Sequence, residues 1–164
     1  MKTVYIIRHA KSTWANIGQR DFDRPLNERG HKDAPAMAER LLNKKIEIDA
    51  FISSPAKRAR QTCEHFYAVL GKGKDPILFI DELYHAPCET FYTVIGEMED
   101  KYERIAIFSH NPGITEFVNS LTNSVRLDNM PTCGIFCITV NSNTWSSFKQ
   151  SEKKFEFFDY PKAL

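Results

Sequence analysis

The run Val4-Tyr5-Ile6-Ile7 stops at Arg8-His9-Ala10, and that junction constrains this chain more than any other feature. Four consecutive apolar residues, mostly β-branched, have no polar face to offer water. They read as a strand covered on both sides, the habit of parallel sheets. In open α/β sheets, ligands collect beyond the carboxyl ends of such strands. A second run, Ile105-Ala106-Ile107-Phe108, ends in Ser109-His110. Two strand ends therefore each present a histidine, with arginines in reach, where an anionic group can be held.

Composition supports an ordinary globular domain. The 164 residues are expected to form one domain over 1–164, large enough to bury roughly 70% of the unfolded surface. Hydrophobic residues make up 42% and charged residues 26%, as in soluble proteins. Lys+Arg 22 against Asp+Glu 21 leaves a net charge of +1. No general pull toward nucleic acid or an anionic membrane follows, so neither is expected as a partner. A preference for anions must come from a local cluster. Met1-Lys2-Thr3 leads straight into the first strand, leaving no room for a signal peptide, and no apolar run approaches membrane-spanning length. Cys63, Cys88, Cys133 and Cys137 show no Cys-x-x-Cys spacing and no paired His-x-x-x-His. Neither a disulfide nor a zinc framework is expected; they read as thiols of a cytoplasmic protein, mostly buried packing residues.

Strands and helices alternate along the chain. Residues 10–26 are polar and turn-rich, and Asn27 is placed to cap a helix to about Asn43 with Met37 and Leu41 inward. Pro35 should kink that helix or make Asp33 the cap of a second segment. Asp49–Ser53 reads as a short strand. Ser54-Pro55 then looks like a helix start, serine as cap and proline first, with Ala59, Cys63, Phe66 and Leu70 on one face and Gly71 closing it. Pro76–Ile80 is a third strand, Asp81–Cys88 a loop, and Glu89–Lys101 a helix with Phe91, Val94, Ile95 and Met98 inward. After the strand ending at His110, Asn111-Pro112 repeats the cap-plus-proline start, with Ile114, Phe117, Val118 and Leu121 as an inward stripe. Gly134–Val140 is a fifth strand, and Trp145–Phe148 should open a hairpin that Phe155–Phe158 completes. The fold class expected is α/β, a three-layer sandwich around a mostly parallel sheet.

The polar groups at the strand ends suit a dianion. Arg58 falls in the first turn of the helix expected after Ser54, so its guanidinium and a helix N-terminus can meet the same anion. Lys57 and Arg60 compete for that role, but one residue along a helix turns a side chain by about 100°. His110 lies just before another helix N-terminus. Arg8, Arg58, His9 and His110 together can hold a phosphoryl group. No carboxylate cluster, His-Glu-x-x-His or Gly-rich phosphate loop offers a metal or nucleotide site, so no cofactor is expected. Metal-free phosphoryl transfer then needs a protein nucleophile, and a neutral histidine is the available one.

At these residues the chain resembles the histidine phosphatase superfamily, the phosphoglycerate mutase-like proteins, and within it the SixA-type phosphohistidine phosphatases. The resemblance rests on Ile6-Ile7-Arg8-His9-Ala10-Lys11-Ser12, on Asp23-Arg24-Pro25-Leu26 with Gly30 following, on Ser53-Ser54-Pro55-Ala56-Lys57-Arg58-Ala59 with Gln61-Thr62, and on Ser109-His110-Asn111-Pro112. It implies a phosphoglycerate mutase-like fold, phosphorylation of His9, and Arg8, Arg58 and His110 as holders of the phosphoryl oxygens. Two positions depart from the pattern. Ala10 stands where many members have glycine, and Ala15 where mutase-like members often carry a phosphate-binding asparagine, with Asn16 one step out of register. The chain also lacks the long insertions that build a lid over sugar phosphates in larger members.

The expected activity is a metal-independent phosphatase working through phospho-His9, with protonated His110 and the arginines neutralising the oxygens. A phosphohistidine protein is the favoured partner, a small phosphorylated substrate the alternative, and a non-catalytic phosphate-binding module the reading from another class. Arg24 can reach the phosphate or pair with Asp21 or Asp23. Glu82 and Asp21 are the candidate proton donors for an ester. Phosphohistidine needs neither, since imidazole, with a conjugate-acid pKa of about 6.5, leaves with little help. His31 and His65 read as structural, with His85 the better placed to visit the pocket; the oligomeric state is open.

Overall fold

The computed structural model describes residues 1–14 and 16–163; Ala15, the mutase-like asparagine position, lies outside them. Six strands form one sheet: β1 (Lys2–Arg8), β2 (Ala50–Ser53), β3 (Leu78–Phe79), β4 (Arg104–Ser109), β5 (Ile135–Val140) and β6 (Lys153–Asp159). Their order is β3-β2-β4-β1-β5-β6. Pairings β3–β2, β2–β4 and β4–β1 are parallel, while β5 runs antiparallel to both β1 and β6. This is the mostly parallel α/β sheet expected, with an antiparallel edge.

Alternation along β1 divides the core. Val4 and Ile6 pack with Ile105, Ile107 and the apolar faces of α3 (Cys88–Gly96) and α4 (Gly113–Leu121). Tyr5 and Ile7 pack on the opposite face with Phe108 and with α1 (Glu28–Asn43) and α2 (Lys57–Leu70). Helices thus cover both faces, which is why β1 and β4 lack any polar alternation. Each of Ile6, Ile7, Phe66 and Phe117 is fully buried, a gain of about 1.5–3 kcal/mol apiece relative to exposure.

Several boundaries differ from expectation. Helix α1 is capped by Asn27, whose side chain accepts from the Gly30 N–H at 2.9 Å. It runs unbroken through Pro35, and Asp33 pairs with Arg29 instead of starting a second segment. Burial of Ala34, Met37, Ala38 and Leu41 against the sheet outweighs a proline penalty of about 3 kcal/mol. Helix α2 begins at Lys57, with Ala56 as its flanking residue. Ser54 is no helix cap: its hydroxyl oxygen accepts from the Ala56 N–H and bonds to His110. Residues 81–83 form a short 3-10 turn rather than open loop, and β3 shrinks to two exposed residues at the sheet edge. Helix α3 ends at Gly96, short of the expected Lys101, although Met98 still packs on the core.

The expected hairpin from Trp145 to Phe158 is absent; β5 is the strand that pairs with β6. Trp145 and Phe148 are buried in the core instead. The Trp145 indole donates to the Tyr102 carbonyl at 2.8 Å, and its ring lies under the buried Lys2 ammonium at 5.2 Å. A buried indole N–H needs a partner, and that need fixes the loop. Among the described residues no helix is long and apolar enough to cross a membrane.

Candidate active site

The neighbouring parallel strands β1 and β4 are in register, Arg8 opposite Ser109. The next residue of each is a histidine, and the His9 and His110 rings lie 5.2 Å apart. The His9 backbone N–H donates to the Ser109 carbonyl at 3.1 Å, while the Cys133 N–H donates to both the Arg8 and His9 carbonyls. Strand β4 and the turn leading into β5 thereby fix the backbone that carries the His9 imidazole.

The side-chain bonds of His9 decide its tautomer. Nδ1 lies 2.8 Å from the Ala10 carbonyl oxygen, an acceptor only, so Nδ1 carries the proton. Nε2 then holds the lone pair, and no protein group among the described residues bonds to it. Burial, together with Arg8, Arg58 and Arg24, lowers the pKa of the ring to about 3, against a smaller opposing pull from Ala10. His9 is therefore a neutral imidazole whose Nε2 lone pair has no protein partner among the described residues, 6% exposed.

A pocket of about 300 Å³ opens over His9, walled by Arg8, Lys11, Arg24, Arg58 and His110. Arg58 is buried in the first turn of α2, whereas Arg60 is exposed; of the three basic residues there, Arg58 faces this space. Its two terminal nitrogens donate to the Asp21 carbonyl and carboxylate at 2.8 and 3.0 Å. Arg8 donates Nη1 to the Met130 carbonyl at 2.8 Å, and its buried Nε has no protein partner. Arg24 fits both readings made of it, lining the pocket while donating to Asp21 at 2.9 Å and to Ser12 at 2.9 Å. A larger groove of about 620 Å³ runs along α4 and shares Asn111 with this pocket, but the histidines and arginines converge only in the smaller one.

His110 differs from the protonated state expected of it. Burial, His9 and Arg58 lower its pKa to about 2, so the ring is neutral among these groups. Nε2 meets the Ser54 hydroxyl at 2.8 Å, and Nδ1 is buried without a protein partner. Unsatisfied buried nitrogens are uncommon and call for a ligand or a compensating role; here Arg8 and His110 each supply one.

Neither candidate acid fits a proton donor. Asp21 accepts from the Tyr84 hydroxyl, Arg24 and Arg58. Burial opposes ionisation, but those hydrogen bonds outweigh it and hold the carboxyl well below the usual range. Glu82 is exposed and lines a separate groove beside α3. His85 is also exposed, its ring tilted against Tyr84 beside a cavity that includes His110 but not His9. His31 and His65 pair with each other between α1 and α2, with nitrogens 2.9 Å apart. Among the described residues no three metal-ligating side chains converge.

Residues that motif reading left without a role hold the frame. Thr62 Oγ1 accepts from the Ala10 N–H at 2.9 Å and donates to the Arg58 carbonyl at 2.8 Å, tying the loop that follows His9 to α2. Gln61 accepts from the Leu26 N–H at 2.9 Å. Ser54 was the signal missed: a serine before proline reads as a cap whether or not a histidine waits across the sheet.

The model for the histidine phosphatase superfamily (branch 1) matches residues 4–84, a stretch that contains Arg8, His9 and Arg58. The solved structure of a candidate phosphohistidine phosphatase SixA from Agrobacterium tumefaciens superposes with a TM-score of 0.84 and 28% identity, covering 98% of each chain. The chain belongs to the histidine phosphatase superfamily. Another relative is an uncharacterised chloroplastic protein of Arabidopsis thaliana, 28% identical over 153 residues, 88% of this chain and 69% of that one. A 2,3-bisphosphoglycerate-dependent phosphoglycerate mutase of Mesorhizobium japonicum is 33% identical over 75 residues. That match covers 43% of this chain and 35% of the mutase, so the chain aligns with about a third of the mutase's length.

Proposed function

We propose that this protein is a cytoplasmic, metal-independent phosphohistidine phosphatase with His9 as nucleophile. The supporting observation is the state of His9: Nδ1 is tied to a carbonyl and Nε2 is free, unprotonated and beside a pocket lined with arginines. Nε2 attacks phosphorus in line, a new N–P bond forms, and the departing imidazole nitrogen takes the electron pair of the old P–N bond. Arg8, Arg58 and His110 hold the equatorial oxygens. The incoming dianion supplies the negative charge that can draw a proton onto His110. Water then cleaves phospho-His9, releasing inorganic phosphate and restoring the neutral ring.

A phosphohistidine substrate suits the pocket because Asp21 is committed to Arg24, Arg58 and Tyr84, leaving no evident acid for an alkoxide. The likeness to a SixA protein supports the same class. A small-molecule phosphomonoesterase takes its support from the partial mutase match, and a merely phosphate-binding module from the pocket alone. One experiment separates the three. The protein is mixed with a 32P-phosphohistidine peptide and quenched during turnover, with sugar phosphates and an EDTA arm in parallel. The expected result is acid-labile, base-stable label on wild type, none on His9→Ala, and an EDTA-insensitive rate. Turnover retained by His9→Ala, or lost to chelator and restored by magnesium, refutes the mechanism. Absence of any turnover supports the binding module.

A further inference from the structure

Asn111 stands in the motif Ser109-His110-Asn111-Pro112, yet its side chain neither caps α4 nor bonds to either histidine. It turns instead to the segment that leads from α4 back to β5. Its Nδ2 donates to the Asn129 side chain at 2.8 Å and to the Met130 carbonyl at 3.2 Å. Thr115, one turn along, donates its hydroxyl proton to Asn111 Oδ1. The same Thr115 oxygen accepts from the Met130 N–H at 2.9 Å. The Met130 backbone is therefore held at both its N–H and its carbonyl, and its side chain is fully buried in the core.

The Met130 carbonyl is also the acceptor for Arg8 Nη1 at 2.8 Å, the one protein hydrogen bond of that guanidinium among the described residues. Arg8 is thus aimed by a single carbonyl, which Asn111 holds directly and Thr115 steadies through Asn111 Oδ1 and the Met130 N–H. A second clamp steadies the same segment: Asn119 donates to the Leu127 carbonyl and accepts from its N–H, each at 2.8 Å. Guanidinium recognition of a phosphoryl group depends on a planar fork held in register. Rotating the Met130 carbonyl turns the fork.

We infer that Thr115 and Asn111 are positioning residues that act on phosphoryl binding through the Met130 carbonyl and Arg8. This rests on the reading of Arg8 as a phosphoryl-binding group. Thr115 touches no reacting atom: its hydroxyl accepts at one point and donates at another, so serine can replace it and valine cannot.

The test is a double-mutant cycle between Thr115→Val and Arg8→Ala, read by kcat/KM and by calorimetric binding of inorganic phosphate. Thr115→Val should lower both by about 10- to 100-fold, the scale expected for misplacing a binding group by about 1 Å. Thr115→Ser should stay near wild type. In the Arg8→Ala background, Thr115→Val should change little further. Equal, multiplicative losses in the two backgrounds overturn the inference, as does full activity in folded Thr115→Val. If Thr115→Val does not fold, Asn111→Ala runs the same cycle. Phosphate binding keeps the outcomes distinct: coupled losses of phosphate affinity without turnover on any substrate sink the phosphatase reading and leave the positioning intact.

Discussion

His9 and His110 are held neutral at a position where two cationic rings would repel, and the cost of protonating them sets an acid limit on the fold. Burial first, then neighbouring cations, lower both pKa values from 6.5, to about 3 and about 2. As pH falls through about 6.5 the unfolded chain takes up protons at both rings and the folded chain does not. The unfolded state binds more protons in that window, so stability is complete above it and declines as pH drops toward 3. Thermal unfolding between pH 7 and 5 should show a steep fall for wild type and a flatter one for the His9→Asn, His110→Asn double variant. An equally steep double variant would place the acid sensitivity elsewhere. The arginines divide by burial in the same way. Arg58→Ala should lose about 3 kcal/mol of transition-state stabilisation, the scale for one charged donor. Exposed Arg60→Ala should remain within severalfold in kcat/KM; comparable losses at both would mean that Arg60 also reaches substrate.

Helix α1 carries its own contribution to the pocket through its first turn. Asn27→Ala removes the bond to the Gly30 N–H and should cost about 1 kcal/mol in urea unfolding. Gly30→Ala should cost more, because a Cβ there would run into the Lys11 carbonyl and push away the loop that bears Lys11 and Ser12. Unchanged urea midpoints for both would remove the helix from this role. Gly30 shows where reading the sequence succeeded and where it stopped. Runs such as Val4–Ile7 and Ile105–Phe108 announced buried strands because burial on two faces leaves no polar alternation, and Arg8, His9 and His110 followed from those strand ends. Asn27 and Arg58 were legible from helix phase and capping. Ser54, Asn111 and Trp145 were not, since each is fixed by a partner far along the chain: His110, Met130 and Lys2 with Tyr102. Local propensity has no access to such pairings. The same limit hid the commitment of Asp21 to three donors, which removed it as an acid.

The molecule as a whole offers substrate an open pocket at one end of its sheet. On the proposed mechanism its rate should depend steeply on how well the leaving group departs. Across a series of aryl phosphates kcat/KM should fall as leaving-group pKa rises, phosphohistidine peptides should surpass sugar phosphates by about tenfold or more, and Glu82→Gln should change neither. A flat series, or sugar phosphates in the lead, would point to an acid other than Asp21 and Glu82 and to the small-molecule reading. The strand order β2-β4-β1 sets β4 between two strands that precede it in the chain. On the ribosome, β1 and β2 emerge long before the strand that must lie between them. A nascent chain that has reached Leu70 already holds Arg8, His9 and Arg58, yet no shared sheet edge brings them together. Only when β4 slots in does the Ser109 carbonyl fix His9 and His110 arrive beside it. Such non-local pairing is slow relative to local helix formation. The chemistry proposed for His9 is thereby withheld from the unfinished chain and conferred in one late step of assembly.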